Sequence, residues 1–235
     1  MLPCVRQRCA CPGLSLRWPP RRTQAAPALN RSANTASFGP VRCAWWPHRR
    51  GELAETTVRA WLGASWGLPP ESLVLTRDGY GRPHLDGGSH HVDLNWSHSG
   101  DWLIGASAEG ARTGRMRVGI DIELLRPRPK ALALARRFFA PEETAWLETL
   151  AEDPARMQHA FTQLWCAKEA VLKAHGRGLS FGLEKLRFEC GEVDAAPRLV
   201  ACDPALGAPD DWTLAAWAPV PGYLATLAWR ETARS

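Results

Sequence analysis

The segment Val118-Gly119-Ile120-Asp121-Ile122-Glu123 alternates apolar residues with small or acidic ones at a strict period of two. Only a β-strand returns every second side chain to one face, so this pattern predicts a strand carrying Asp121 and Glu123 side by side opposite an apolar face. Two neighbouring carboxylates resist joint ionisation. A shared cation relieves that repulsion, and Mg²⁺ suits the pair, because it takes one or two carboxylates together with water and phosphate oxygens. From the pair alone, a solvated strand face is the competing reading.

A long helix is expected from roughly Pro154 to His175, with Met157, Phe161, Leu164, Trp165 and Leu172 on its buried face and Gly176 and Gly178 at its exit. Glu169 and Lys173 lie four apart on it, the order of an ordinary stabilising pair worth about 0.2–0.5 kcal/mol. If that face meets the Asp121 strand, Glu169 becomes a third oxygen ligand and Lys173 a cation beside a bound phosphate, with Lys168 flanking it.

The remaining elements are short. A helix is expected after Gly51, through Leu53, Val58, Trp61 and Leu62, ended by Gly67-Leu68-Pro69-Pro70; another should run from Pro141 to Leu150. Strands are expected at Leu73–Leu75, Gly81–Leu85, Leu186–Phe188, Trp212–Leu214 and Tyr223–Trp229. Val92–Asn95 and Trp102–Ala108 also read as strands, joined by an exposed Trp96–Asp101 connection. That places Ser97 and His98 together at a loop tip, where they would bind an anion jointly. The fold class is therefore α/β in the mixed α+β sense.

Charge divides the chain. Residues 1–50 hold nine Arg and no Asp or Glu, which leaves 20 basic against 24 acidic side chains in the rest and a body of net charge −4. That balance argues against a nucleic-acid partner. Residues 1–40 read as a disordered or atypical basic N-terminal extension, with a transit peptide or an upstream start codon as alternatives; 41–115 and 116–235 form two halves. No apolar run approaches the roughly 18 residues of a membrane span. Seven cysteines, an odd number at irregular spacings, point to free thiols in a reducing, cytoplasmic compartment, and Cys4, Cys9 and Cys11 lack the paired spacing of a zinc site. G-x-x-x-x-G-K-[ST] and G-x-G-x-x-G are absent, so the sequence offers no standard nucleotide-cradling loop.

Five ordered blocks go further: Gly81-Arg82-Pro83, Asn95-Trp96-Ser97-His98-Ser99-Gly100, Val118 to Glu123, Phe138-Phe139 with Glu142-Glu143, and Trp165-Cys166-Ala167-Lys168-Glu169-Ala170 with Lys173 and Gly176. Together they resemble the Sfp-type 4′-phosphopantetheinyl transferases over about residues 48–230. The resemblance implies a pseudo-twofold protein of two similar subdomains, a monomer, with coenzyme A and Mg²⁺ bound in the cleft between the halves. It further implies that Asp121, Glu123 and Glu169 are metal ligands, that Lys173 stands beside the pyrophosphate, that Ser97 and His98 hold coenzyme A phosphates, and that Gly81, Arg82 and Pro83 line the adenine end. Residues 1–47 find no counterpart, and Arg49 and Arg50 are the nearest substitutes for a basic stretch at the 3′-phosphate.

The implied reaction transfers 4′-phosphopantetheine from coenzyme A to a serine of an apo acyl or peptidyl carrier protein, releasing 3′,5′-ADP, with Glu169 and Lys173 catalytic. Such carriers are acidic, so Arg126, Arg128, Lys130, Arg136 and Arg137 become docking groups. A non-catalytic coenzyme A or carrier-binding relative and a Mg²⁺-dependent phosphodiesterase are the alternatives.

Overall fold

The computed structural model describes residues 34–86, 92–109, 114–193 and 196–233. Its elements are β1 (Thr35–Phe38), β2 (Val41–Pro47), α1 (Ala54–Trp66), β3 (Val74–Arg77), β4 (Pro83–Asp86), β5 (Val92–Ser99), β6 (Trp102–Glu109) and β7 (Gly114–Leu124). There follow α2 (Ala131–Phe138), α3 (Pro141–Thr149), α4 (Pro154–His175), β8 (Leu186–Phe188), β9 (Leu199–Cys202), β10 (Thr213–Trp217) and β11 (Tyr223–Ala233). Helices and antiparallel sheets in one chain bear out the α+β class.

Two sheets form the frame, one in the order β1-β2-β6-β5 and the other in the order β10-β11-β7. Alternation along the strands decides which layers meet. Val41, Cys43 and Trp45 of β2 and Ile104, Ala106 and Ala108 of β6 share one core with Val118, Ile120 and Ile122 of β7 and Ala225, Leu227 and Trp229 of β11. The sheets therefore pack face to face through their apolar sides. Leu94 and Leu103, on the other face of the first sheet, pack on Val58 and Leu62 of α1. On the far side of the second sheet, α4 and α2 build the largest core cluster with Phe181, Leu186, Phe188 and Ala228. The layers thus run helix, sheet, sheet, helix.

Two expectations are corrected here. Thr35–Phe38 form a strand, so the extension does not reach residue 40; the earlier part of that expectation lies outside the described residues. β1 pairs with β2 through a two-residue turn that begins at Gly39, whose φ of +54° suits glycine. Ala36 and Phe38 point inward from it, and the Phe38 ring lies 4.7 Å from that of Trp217. A four-residue strand behind an Arg- and Pro-rich prefix offers too few periods to register as alternation. The second correction concerns the connection at Trp96–Asp101. β5 continues to Ser99 and pairs with β6 as far as Trp102, which leaves Gly100 and Asp101 as the whole turn.

The second sheet starts at Gly114, because β7 pairs with β11 over its entire length, from Gly114 against Ala233 to Leu124 against Tyr223. Gly119 faces α4, and a Cβ there would come within 2.1 Å of the Ala170 carbonyl oxygen and 2.4 Å of the Ala174 amide nitrogen. Glycine on the strand and alanines on the helix let the two backbones approach closely, which sets the register of Glu169 and Lys173 against Asp121.

Candidate active site

β7 is an edge strand of its sheet, and an edge leaves N–H groups without ladder partners. Here β5 supplies them from side chains. The Val118 N–H donates to the Asp93 carboxylate at 2.6 Å, the Ile120 N–H to Asn95 Oδ1 at 3.2 Å and the Leu124 N–H to Ser99 Oγ at 3.2 Å. Asp93, Asn95, Ser97 and Ser99 alternate along β5 and so share its seam-facing side. Ser97, the remaining member of that row, donates to Asp121 Oδ1 at 2.7 Å. None of Asp93, Asn95 and Ser99 had a role in the sequence reading, although their period of two was the available signal.

Asp121, Glu123, Glu169, Lys173 and Ser97 are brought together where this seam meets α4. Lys173 Nζ donates to Asp121 Oδ1 at 2.7 Å and to Ser97 Oγ at 2.8 Å, so its ion pair crosses to the strand. Burial pushes the lysine down, but Asp121 and Glu169 outweigh it and hold the ammonium above its ordinary range. Glu169 is nearly buried, and burial, with repulsion from Asp121 and Glu123 outweighing attraction to Lys173, pushes its carboxyl up to about 7. Glu123 is also raised, by burial and Asp121, against the opposing pull of Arg128, which reaches its Oε2 at 2.6 Å; Ser99 Oγ donates to the same oxygen at 3.0 Å.

Asp121 Oδ2 is buried and has no hydrogen-bond partner. An orphaned carboxylate oxygen beside two further carboxylates is a hard, anionic donor set, and it fits a divalent cation such as Mg²⁺. As the side chains stand, no three acidic, His or Cys groups among the described residues enclose an ion. The Lys173 ammonium and the Arg128 guanidinium neutralise part of the cluster instead.

A cleft of about 190 Å³ opens from Lys173 past Gly81, Pro83 and Trp96 to Tyr80 and Gly178. Arg77 stacks over Trp96 at 4.9 Å and Arg177 over Tyr80 at 5.5 Å, which lines its mouth with aromatic faces and positive charge. On the other side of Glu123, an apolar-walled groove of about 520 Å³ runs between Leu125–Pro129 and the first turns of α4 at Met157 and His159.

Several expected site residues lie elsewhere. Strand alternation sends His98 to the face opposite Ser97, and its exposed ring sits 5.2 Å from that of His48. Arg49 and Arg50 are exposed beyond β2. Arg82, by contrast, lines the cleft beside Gly81, Pro83 and Lys173; it is buried, two of its guanidinium nitrogens are bonded within the protein, and its Nε has no partner. Lys168 flanks nothing: it is fully buried, 2.7 Å from Glu143, and donates to the carbonyls of Leu183 and Leu186. Of the expected docking groups, Arg126, Lys130, Arg136 and Arg137 are exposed, Arg136 pairing with Glu148, whereas Arg128 is held on Glu123.

The profile of the 4′-phosphopantetheinyl transferase superfamily matches residues 117–219, which include β7, α4 and the whole acidic cluster. Residues 117–219 are thus similar to the 4′-phosphopantetheinyl transferase superfamily. Psf-1 of Bacillus pumilus, named a 4′-phosphopantetheinyl transferase, is 37% identical over 146 residues, 61% of this chain and 57% of that protein. The 4′-phosphopantetheinyl transferase Sfp of Bacillus subtilis is 32% identical over 132 residues, 56% of this chain and 54% of that protein. A Synechocystis sp. protein given the same name provisionally is 41% identical over 131 residues, 55% of this chain and 50% of that protein. The chain thus spans about half the length of the curated relatives it matches. Among the described residues no helix is long and apolar enough to cross a membrane, and Cys43, Cys166, Cys190 and Cys202 are free thiols.

Proposed function

We propose that this protein transfers the 4′-phosphopantetheine of coenzyme A to a serine hydroxyl of an apo carrier protein. The observation that carries the proposal is the seam cluster: Asp121 with an unpartnered buried oxygen, Glu169 with its carboxyl raised to about 7, and Lys173 facing the cleft with its ammonium on Ser97. Asp121, Glu123 and Glu169 would hold Mg²⁺, which supplies Lewis-acid stabilisation of phosphate charge when bound.

The chain's own groups account for the rest. Lys173 and Ser97 bind and orient the diphosphate, and Lys173 offsets the negative charge that grows on it as the bond breaks. Glu169 takes the proton of the attacking serine hydroxyl, directly or through water. The serine oxygen bonds to the phosphorus bearing pantetheine, the bond from that phosphorus to the bridging oxygen breaks, and 3′,5′-ADP leaves. The cleft at Gly81, Pro83 and Tyr80 takes the adenine end. The apolar groove at Leu125–Pro129, with exposed Arg126 and Lys130 at its edge, suits an acidic carrier surface. The protein acts as a monomer in the cytoplasm on this reading.

The test is the intact mass of apo acyl and peptidyl carriers after incubation with the protein, coenzyme A and Mg²⁺. A gain of one phosphopantetheine, absent without Mg²⁺ and with Glu169→Ala, is the expected result. No gain on any carrier, with coenzyme A binding intact, would replace the transferase by a non-catalytic binder.

A further inference from the structure

Arg82 comes from the segment entering β4, yet its side chain ends among three other elements. One guanidinium nitrogen donates to the Lys173 carbonyl in the last turn of α4, and a second to the Asp93 carboxylate of β5 and, at 3.0 Å, to the Val118 carbonyl of β7; the third, Nε, is buried without a partner. Asp93 in turn accepts the Val118 N–H, so Arg82 and Asp93 together satisfy both main-chain groups of one edge residue. The backbone of Arg82 is fixed as well: its N–H donates to Asp78 Oδ1 and its carbonyl accepts the Asp78 N–H.

Lys173 stands just before the left-handed Gly176 that ends α4. Carbonyls of a final turn have no helical N–H ahead of them and carry the negative end of the helix dipole. A guanidinium on one of them is a side-chain cap, and here the cap comes from the other half of the chain. It grips the main chain of the residue whose ammonium lies on Asp121 and Ser97.

We infer that Arg82 is a positioning residue: by capping α4 at the Lys173 carbonyl and tying that turn to Asp93 and Val118, it holds the Lys173 ammonium in the seam. The kinetic half of the test rests on the transferase reading, and the spectroscopic half does not.

The chain has four lysines, Lys130, Lys168, Lys173 and Lys185, so ammonium signals in lysine-¹⁵N-labelled protein separate readily. In the intact chain Lys173 should give an ordered ammonium signal, assigned by its loss in Lys173→Arg. In Arg82→Gln that signal should broaden away while that of Lys168, buried on Glu143, persists and shows that the fold is intact. Turnover should fall at least about tenfold, with the KM for coenzyme A changed less than about twofold, because a displaced group costs rate rather than ground-state affinity. An unchanged Lys173 signal with a raised KM for coenzyme A would overturn the inference and make Arg82 a ligand contact. If Arg82→Gln does not fold, Asp93→Asn loosens the same guanidinium, and a fully ordered Lys173 signal there overturns the inference equally. Absence of transfer by the wild-type protein would remove the functional reading and leave the Lys173 signal to decide this one.

Discussion

Two lysines five positions apart on α4 have opposite environments, and the difference is measurable. Lys168 is fully buried with Glu143, whose other bonds are to the Ala140 and Phe188 N–H groups. Removing one member of a buried pair strands the other charge, so Lys168→Met should cost about 3–5 kcal/mol in chemical denaturation. Lys173 is partly open to the cleft, and Asp121 keeps its Ser97 bond when the ammonium is gone. Lys173→Met leaves Asp121 buried without its ammonium, so it should lower the melting temperature and also lose transfer by about a hundredfold or more, beyond what that stability loss explains, read by carrier mass. Glu169 adds a pH signature to the metal-free protein. Its carboxyl, about 7 when folded, lies above the ordinary unfolded value, so the native state binds the extra proton. Whatever stability this contributes is complete below pH ~4.5 and is lost as pH rises to about 7. Glu169→Gln should raise the melting temperature at pH 8 and leave it unchanged at pH 4, and equal shifts at both would contradict the assigned cause.

At the scale of elements, the approach of β7 to α4 decides whether a site exists. A Cβ on Gly119 meets helix backbone, which cannot rotate aside as a side chain would. Gly119→Ala should push α4 outward, cost on the order of 2–3 kcal/mol as overpacking does, and reduce transfer beyond what its stability loss explains. Wild-type turnover in a folded Gly119→Ala would show that the spacing has slack. The same elements show what the sequence could and could not disclose. β7 was legible because its alternation runs through strand faces that both matter, one meeting the shared core and the other the site. α4 was legible because its period spans six turns and ends in glycine. The end of β5 was misread: its seam face is polar, so Ser97 and Ser99 looked like loop residues, when Ser97 bonds to Asp121 and Ser99 replaces a missing ladder bond on an edge strand. Lys168 was misassigned for a related reason. A basic residue near a phosphate motif reads as a ligand, and only packing reveals that carbonyls already occupy its donors.

Across the whole molecule, the halves are joined by one core, and β1 lies within it although it is the outermost strand of its sheet. Ala36 and Phe38 pack with Met116, Trp217 and Trp229 of the other half. Phe38→Ala should therefore destabilise the complete protein, by about 3 kcal/mol on the usual cost of truncating a buried phenylalanine. For a chain of this size that corresponds to roughly 6–12 °C in melting temperature. Truncation after residue 40 removes both Phe38 and the pairing of β1 with β2, so it should cost at least as much, whereas truncation after residue 33 leaves every described contact in place. Because the core is shared, loss of β1 should also reach the site: the β7 face opposite Val118, Ile120 and Ile122 carries Gly119 and Asp121, and slack on one face of a strand frees the other. Calorimetry of the two truncations, alongside carrier modification by each, separates the cases. A single transition lowered in step with activity is expected for the longer truncation, and two transitions, with the second unchanged, would mean that the halves fold independently.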